Sequence, residues 1–167
     1  NLYEIFKPKC SIIMKILIIG GTGLLGFHTL KVLLKQKKRY QVEIIALPDI
    51  SLGDWFPKEI KVHYGNIFSI NNHHLKKFFS KYDIVVYAIG PDDRVTPPAP
   101  ALKFFWDNLV LQTERIAHLA QQSNVRKFIL LSSYFVYFDR VWPQKNLAQR
   151  HPYIFCRKEQ AKRAIQA

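Results

Sequence analysis

Apolar residues along this chain fall into two patterns: short unbroken runs, and longer stripes at helical spacing. Lys15–Ile19 (Lys-Ile-Leu-Ile-Ile) is branched and apolar after its first residue. Such a run suits a strand covered on both faces, as in a parallel sheet. Val42–Leu47, Lys61–Tyr64, Asp83–Ile89 and Lys127–Leu131 repeat the pattern, the Lys61 run being stopped by Gly65 and Asn66. Between the runs, Leu24–Lys38 carries Leu25, Leu30, Val32, Leu33 and Leu34, and Ile70–Tyr82 carries Leu75, Phe78 and Phe79. Both are predicted helices packed on a sheet. Ala101–Gln122 is the longest helical pattern, and Tyr153–Ala167 is the last. Gly90–Pro100 holds Pro91, Pro97, Pro98 and Pro100 and is predicted to be a loop; Asp139–Pro152, with two prolines, is predicted to be irregular.

Strand and helix in alternation predict right-handed crossovers and a doubly wound parallel sheet of the Rossmann type. The expected strand order is 3-2-1-4-5, with a ligand over the carboxyl ends of strands 1 and 4. A length of 167 residues fits one domain. The only methionine, Met14, stands directly before the first run. Residues 1–13 are therefore read as an N-terminal extension, and residues 14–167 as the dinucleotide-binding domain. The extension has no small-residue cleavage site after an apolar run, so it makes a poor signal peptide.

Gly20-Gly21-Thr22-Gly23-Leu24-Leu25-Gly26 lies between the first strand and the first helix. One glycine lets the chain turn off the strand, another lets backbone amides approach phosphate oxygens, and the third lets the helix pack close. The helix N-terminus then offers free N–H groups and a partial positive charge to an anion. The spacing is Gly-x-x-Gly-x-x-Gly, but the context of buried strand and amphipathic helix is that of a pyrophosphate site.

Composition changes this picture little. The chain is 49% hydrophobic and 22% charged, as in ordinary globular domains. No apolar stretch reaches the ~20 residues of a membrane span, so no membrane partner is expected. Two cysteines, Cys10 and Cys156, build neither a disulfide framework nor a metal cluster, and a reducing, cytoplasmic setting fits best. His73 and His74 are adjacent, face different sides of a helix, and have no third ligand spaced to join them; no metal is expected. The formal charge of +13 could attract nucleic acid or phosphorylated ligands. No aromatic-plus-basic motif or helix-turn-helix signature accompanies it, which argues against nucleic acid. Lys35, Lys37, Lys38 and Arg39 cluster where a helix should end, a position the helix dipole favours for cations.

The segment Met14–Gly26 resembles the start of an extended short-chain dehydrogenase/reductase, of the NAD-dependent epimerase/dehydratase family. Further likenesses follow in order. Gly65-Asn66-Ile67 resembles the family's Gly-Asp-(Ile/Leu) at the adenine. Ala88-Ile89-Gly90 resembles its small-residue turn after strand 4. Asn124–Ser133 resembles its fifth strand, Tyr134-Phe135-Val136-Tyr137 continues the Ser-Ser-x-x-Val-Tyr pattern, and Pro152–Arg157 occupies the place of Pro-Tyr-x-x-Ser-Lys. The resemblance implies a cofactor, NAD with NADP not excluded. It implies cofactor contacts from Gly20, Gly21, Thr22, Gly23, Leu24, Leu25, Gly26, Asp49, Asn66, Ile67, Ala88, Ile89, Gly90, Tyr153 and Arg157. It also implies a catalytic set: Tyr153 as acid/base, Ser133 bonding the substrate oxygen, and Arg157 at the family's lysine position.

Three departures stand out. Arginine at 157 keeps a positive charge but has a wider fork than lysine, and Lys158 next to it points about 100° further round a helix. Asn108 falls one residue early relative to the family's asparagine in that helix. Asp49 sits slightly late for the acid at the end of strand 2. The family's substrate lobe would follow the last helix and is absent from this chain. The implied function is an NAD(P)-dependent epimerase, dehydratase or reductase acting on a small hydroxyl or carbonyl compound, with nucleotide sugars the family's commonest substrates. The alternative is a non-catalytic dinucleotide-binding module with a redox-sensing or interaction role. A homodimer through Ala101–Gln122 and Tyr153–Ala167 is the partner the family suggests. Gly90–Pro100 either lines the substrate side through Asp92, Asp93 and Arg94 or is a rigid surface connection; the sequence leaves both open.

Overall fold

The computed structural model describes residues 13–167, so all of the extension except Ile13 lies outside the described residues. Five strands form one parallel sheet in the order β3-β2-β1-β4-β5. They are β1 (Met14–Ile19), β2 (Tyr40–Ala46), β3 (Lys61–Tyr64), β4 (Ile84–Tyr87) and β5 (Lys127–Leu130). The expected order is therefore the observed one. In β1, Leu17, Ile18 and Ile19 are essentially inaccessible to solvent. Successive side chains point to opposite faces of the sheet, so both faces of β1 must be apolar. Leu17 and Ile19 join a core with Leu75, Phe79, Ile116 and Leu119, while Ile16 and Ile18 join one with Leu30 and Ile44 on the other side.

Helix α1 (Leu24–Leu34) covers the second face, and α2 (Asn72–Phe79) lies on the first. Helix α1 ends at Leu34, four residues short of the expected Lys38, and the basic cluster follows in turns. Asn71 stops α2 from starting earlier: its side chain accepts from His74 N and caps the helix. The long helical pattern runs as α3 (Ala101–Phe105), a π-helical turn (Trp106–Leu111) and α4 (Gln112–Gln122). Within the π turn Asn108 Nδ2 donates to the Phe104 carbonyl at 2.9 Å. A π turn takes one residue more than an α turn, which places Asn108 out of the simple helical count. Arg115 on α4 donates to the carbonyls of Phe68 and Ile70 and to Asn72 Oδ1, and so holds down the connection after β3.

The stretch after β5 departs from expectation. Residues predicted to be irregular continue a helix, α5 (Tyr134–Val141), then form a 3-10 turn (Pro143–Lys145) and α6 (Leu147–Arg150). Ser133 caps α5, its Oγ accepting from Phe135 N at 3.2 Å. Both prolines sit in first turns, Pro143 of the 3-10 turn and Pro152 of α7 (Pro152–Gln166), where a missing N–H costs nothing. They start helices instead of breaking them. Among the aromatics between elements, Phe56 is buried, while Trp55 and Trp142 are exposed, Trp55 edge-on to Phe27 and Trp142 stacked on Phe138.

Candidate functional site

The turn from β1 to α1 is built by its glycines. Gly20 has φ of +86°, and a Cβ there would meet the Ala88 carbonyl oxygen at 2.7 Å. Gly23 N donates to Gly20 O at 3.0 Å, closing the turn. A Cβ on Gly26 would run into the Gly20 carbonyl, so only glycine lets α1 sit this close to β1. Gly23 is the N-cap of α1, with extended backbone and no side-chain cap, and no acidic residue lies in the first turn. The leading amides of α1, at Leu24 and Leu25, therefore have no side-chain partner and face outward with the positive end of the helix. A Cβ on Gly23 would touch only Gly20 O, at 3.4 Å; the space before it is open.

That space is the middle of a cleft along the carboxyl ends of the strands. One part, about 310 Å³, is lined by Gly20, Thr22, Gly23, Leu47, Ile50, Asn66, Ile67, Phe68 and Ala88–Gly90. No charged side chain lines it, and its apolar walls suit a flat ring. The other part, about 590 Å³, shares Gly23, Ala88, Ile89 and Gly90 and adds Leu24, Leu25, Asp92–Arg94, Ser132–Tyr134, Tyr153 and Arg157. The loop after β4 thus faces this cleft: Arg94 clasps Asp92, and that contact holds the Asp92 carboxyl below the usual carboxylate range.

Tyr153 and Arg157 form a pair inside the polar part. One helical turn separates them, which puts both on one face of α7. Tyr153 is buried against Phe105 and Phe135. Its hydroxyl accepts a hydrogen bond from Arg157 Nε–H at 3.1 Å. Arg157 Nη1 donates to Gln160 Oε1 at 2.9 Å, and Nη2 donates to the Pro91 carbonyl at 3.1 Å. Gln160 Nε2 donates in turn to Thr113 Oγ1 on α4 at 2.7 Å. Nearby, burial pushes the Tyr87 hydroxyl up to about 12, against the pull of Thr113 and Arg157. Lys158 turns away: its Nζ binds Asp139 at 2.8 Å.

Most residues expected at the site meet in this cleft, but not all. Asp49 is exposed on the turn after β2, and Leu47 and Ile50 take the wall in its place. Gly21 and Gly26 serve packing and do not line the cleft; a Cβ on Gly21 would collide with the Ile44 side chain. Asn66 stands at the wall, with its Oδ1 accepting from Phe68 N. Thr113 and Gln160 were missed, although both left a signal. Gln160 lies seven residues after Tyr153, on the same helical stripe, and Thr113 interrupts the apolar series Leu109, Ile116, Ala120. A polar residue on a buried stripe needs a partner. Among the described residues, no group of three His, Cys, Asp or Glu could hold a metal ion, and no helix is long and apolar enough to cross a membrane.

A glycine turn into an uncapped helix, with a cleft across strands 1 and 4, defines a dinucleotide-binding Rossmann domain. The chain belongs to the NAD dependent epimerase/dehydratase family, whose model matches residues 16–158. A UDP-glucose 4-epimerase of Cyamopsis tetragonoloba is 29% identical over 73% of this chain and 37% of its own length. The enzyme WbmG of Bordetella bronchiseptica, solved with NAD, superposes with a TM-score of 0.68 at 16% identity, covering 97% of this chain and 52% of its own. A UDP-glucuronic acid 4-epimerase of Bacillus cereus, also solved with NAD, gives 0.65 at 18% identity, with 92% and 52% covered. The chain spans about half, or less, of the length of these relatives.

Proposed function

We propose that this chain is the cofactor-binding part of an NAD-dependent epimerase, dehydratase or reductase that works on a hydroxyl or carbonyl carbon of a nucleotide sugar. One observation carries the reading: a buried tyrosine–arginine pair opens onto the same cleft as an uncapped helix N-terminus behind a glycine turn. The amides of Leu24 and Leu25, with Thr22 beside them, would hold the pyrophosphate. Asn66 and Ile67 would meet the adenine. Ala88, Ile89 and Gly90 would floor the nicotinamide end, with Tyr153 and Arg157 at its ribose. The neighbours solved with NAD favour NAD over NADP, and so does the absence of a basic side chain at the Leu47–Ile50 wall.

When bound, the nicotinamide supplies hydride transfer. The chain's own part is proton handling and positioning. Tyr153 Oη would take the proton from a substrate hydroxyl or return it to a carbonyl oxygen. The Arg157 Nε–H points at this oxygen and, as a charged donor, would hold it in place toward the substrate. Ser133 Oγ accepts from Phe135 N and keeps its own proton to donate to the substrate oxygen. The arginine also motivates a second reading, a module that binds the dinucleotide without turning it over. For assembly, Leu111, Phe155 and Ile165 on the outer faces of the long helix and α7 are exposed and would serve a homodimer.

Calorimetric titration of NAD, NADH, NADP and NADPH into the chain and into a Gly23→Val variant tests the site. Binding that the valine abolishes, with the fold unchanged, supports it; a folded chain that binds none of the four sinks it. Substrate-dependent NADH formation from UDP-sugars separates enzyme from module.

A further inference from the structure

The guanidinium of Arg157 is held from three directions. Nε–H serves Tyr153, Nη1–H serves Gln160, and Nη2–H serves the backbone of Pro91 at the start of the loop after β4. Gln160 is fully buried and is fixed by Thr113, which is fully buried as well. A lysine ammonium carries its three N–H groups on a single nitrogen and has no planar fork, so it could not reach the three partners that Arg157 meets from three separate nitrogens. The surroundings therefore match arginine: an acceptor is aimed at each nitrogen, and a second helix orients the acceptor on Nη1.

We propose that Gln160 is a positioning residue which, braced by Thr113, holds the Arg157 fork against Tyr153, so that arginine here is a built part of the cofactor site and not a decayed lysine. Gln160 does not line the cleft; it acts only through Arg157. The inference rests on the reading above that Arg157 serves the bound dinucleotide. It adds that the lysine of the family pattern is not the better residue in this chain. A lysine would leave Gln160 Oε1 or the Pro91 carbonyl unpaired, and an unpaired buried acceptor costs free energy.

The test is a double-mutant cycle read as NADH affinity by calorimetry, with circular dichroism to confirm folding. Arg157→Ala should weaken NADH about tenfold or more, the loss expected for a charge-assisted hydrogen bond. Gln160→Leu should weaken it by about five- to tenfold in the parent chain, and by less than about twofold once Arg157 is already alanine. Gln160→Glu, which keeps an acceptor on Nη1, should stay within about threefold of the parent. Arg157→Lys should fall nearer to alanine than to the parent. Thr113→Val provides the same reading one bond further out if Gln160→Leu does not fold, and should show the same dependence on Arg157. Equal losses from Gln160→Leu in both backgrounds would mark a merely structural glutamine and overturn the inference. So would Arg157→Lys matching the parent. If Arg157→Ala leaves NADH affinity unchanged, or the chain binds no NADH, the reading of Arg157 as a cofactor residue fails first and takes the inference with it.

Discussion

Gly26 and Gly23 stand three residues apart in one turn, and the structure assigns them opposite consequences. Gly26→Ala places a methyl group against the Gly20 carbonyl, with Gly20 C at 2.8 Å and Gly21 Cα at 3.0 Å. These are backbone atoms and cannot swing aside, so α1 must move off β1. Overpacking a rigid site costs about 1–3 kcal/mol, and a collision with backbone belongs at the upper end. For a chain of this size each kcal/mol shifts Tm by about 2–4 °C, which gives a fall of about 6–12 °C. Gly23→Ala meets only Gly20 O, at 3.4 Å. It loses the slight advantage of glycine at an N-cap, about 0.5 kcal/mol or less than 2 °C. Thermal unfolding followed by circular dichroism at 222 nm, a standard helix signal, reads both variants. Equal Tm values for Gly26→Ala and the parent would refute the claim that close helix–strand packing requires glycine at position 26.

Other outcomes follow from the same geometry. Asp139 is held below its ordinary value of 3.8 by Lys158 and by the Ala148 N–H. A depressed carboxyl contributes stability that is present above its unfolded value and lost as pH falls through the folded one. Asp139→Asn should therefore cost about 1 kcal/mol at neutral pH and flatten the fall of Tm below about pH 4. Ser133→Ala removes the cap of α5 and should cost about 1 kcal/mol in urea unfolding even if no substrate is present. Asp49→Ala should leave NAD affinity within about twofold, because the side chain does not line the cleft; a tenfold loss would show that the turn after β2 closes over the ligand.

The sheet was legible because burial on both faces leaves unbroken apolar runs at 16–19 in β1, 44–46 in β2 and 84–86 in β4, and the glycine turn because Gly20, Gly21 and Gly26 each answer a steric demand. The helix from Tyr134 was not, since Tyr-Phe-Val-Tyr-Phe has the aromatic and branched content of a strand. Its helical state is set by the Ser133 cap and by packing of Phe135 on Tyr153, contacts that a local pattern does not reveal. Prolines at 143 and 152 looked like breaks because position within a first turn is invisible until the turn is known. At the site, the pair Tyr153 and Arg157 could be read from the likeness of Pro152–Arg157 to the family's Pro-Tyr-x-x-Ser-Lys pattern. Its support could not: Thr113 reaches Gln160 from 47 positions away in sequence. Asp49 stands outside the cleft lining because the chain turns before it and leaves Leu47 and Ile50 on the wall.

The π turn at Trp106–Leu111 works like an expansion joint. The surplus residue is absorbed inside the helix, so Phe105 before it stays against Tyr153 while Ile116 and Leu119 after it stay on the sheet. Both anchored ends are thereby freed from a fixed separation in sequence. Asn108 inside the turn answers to the Phe104 carbonyl, and Thr113 beyond it answers to Gln160 in the buried network. In this helix the contacts are held, and even spacing is the quantity that gives way.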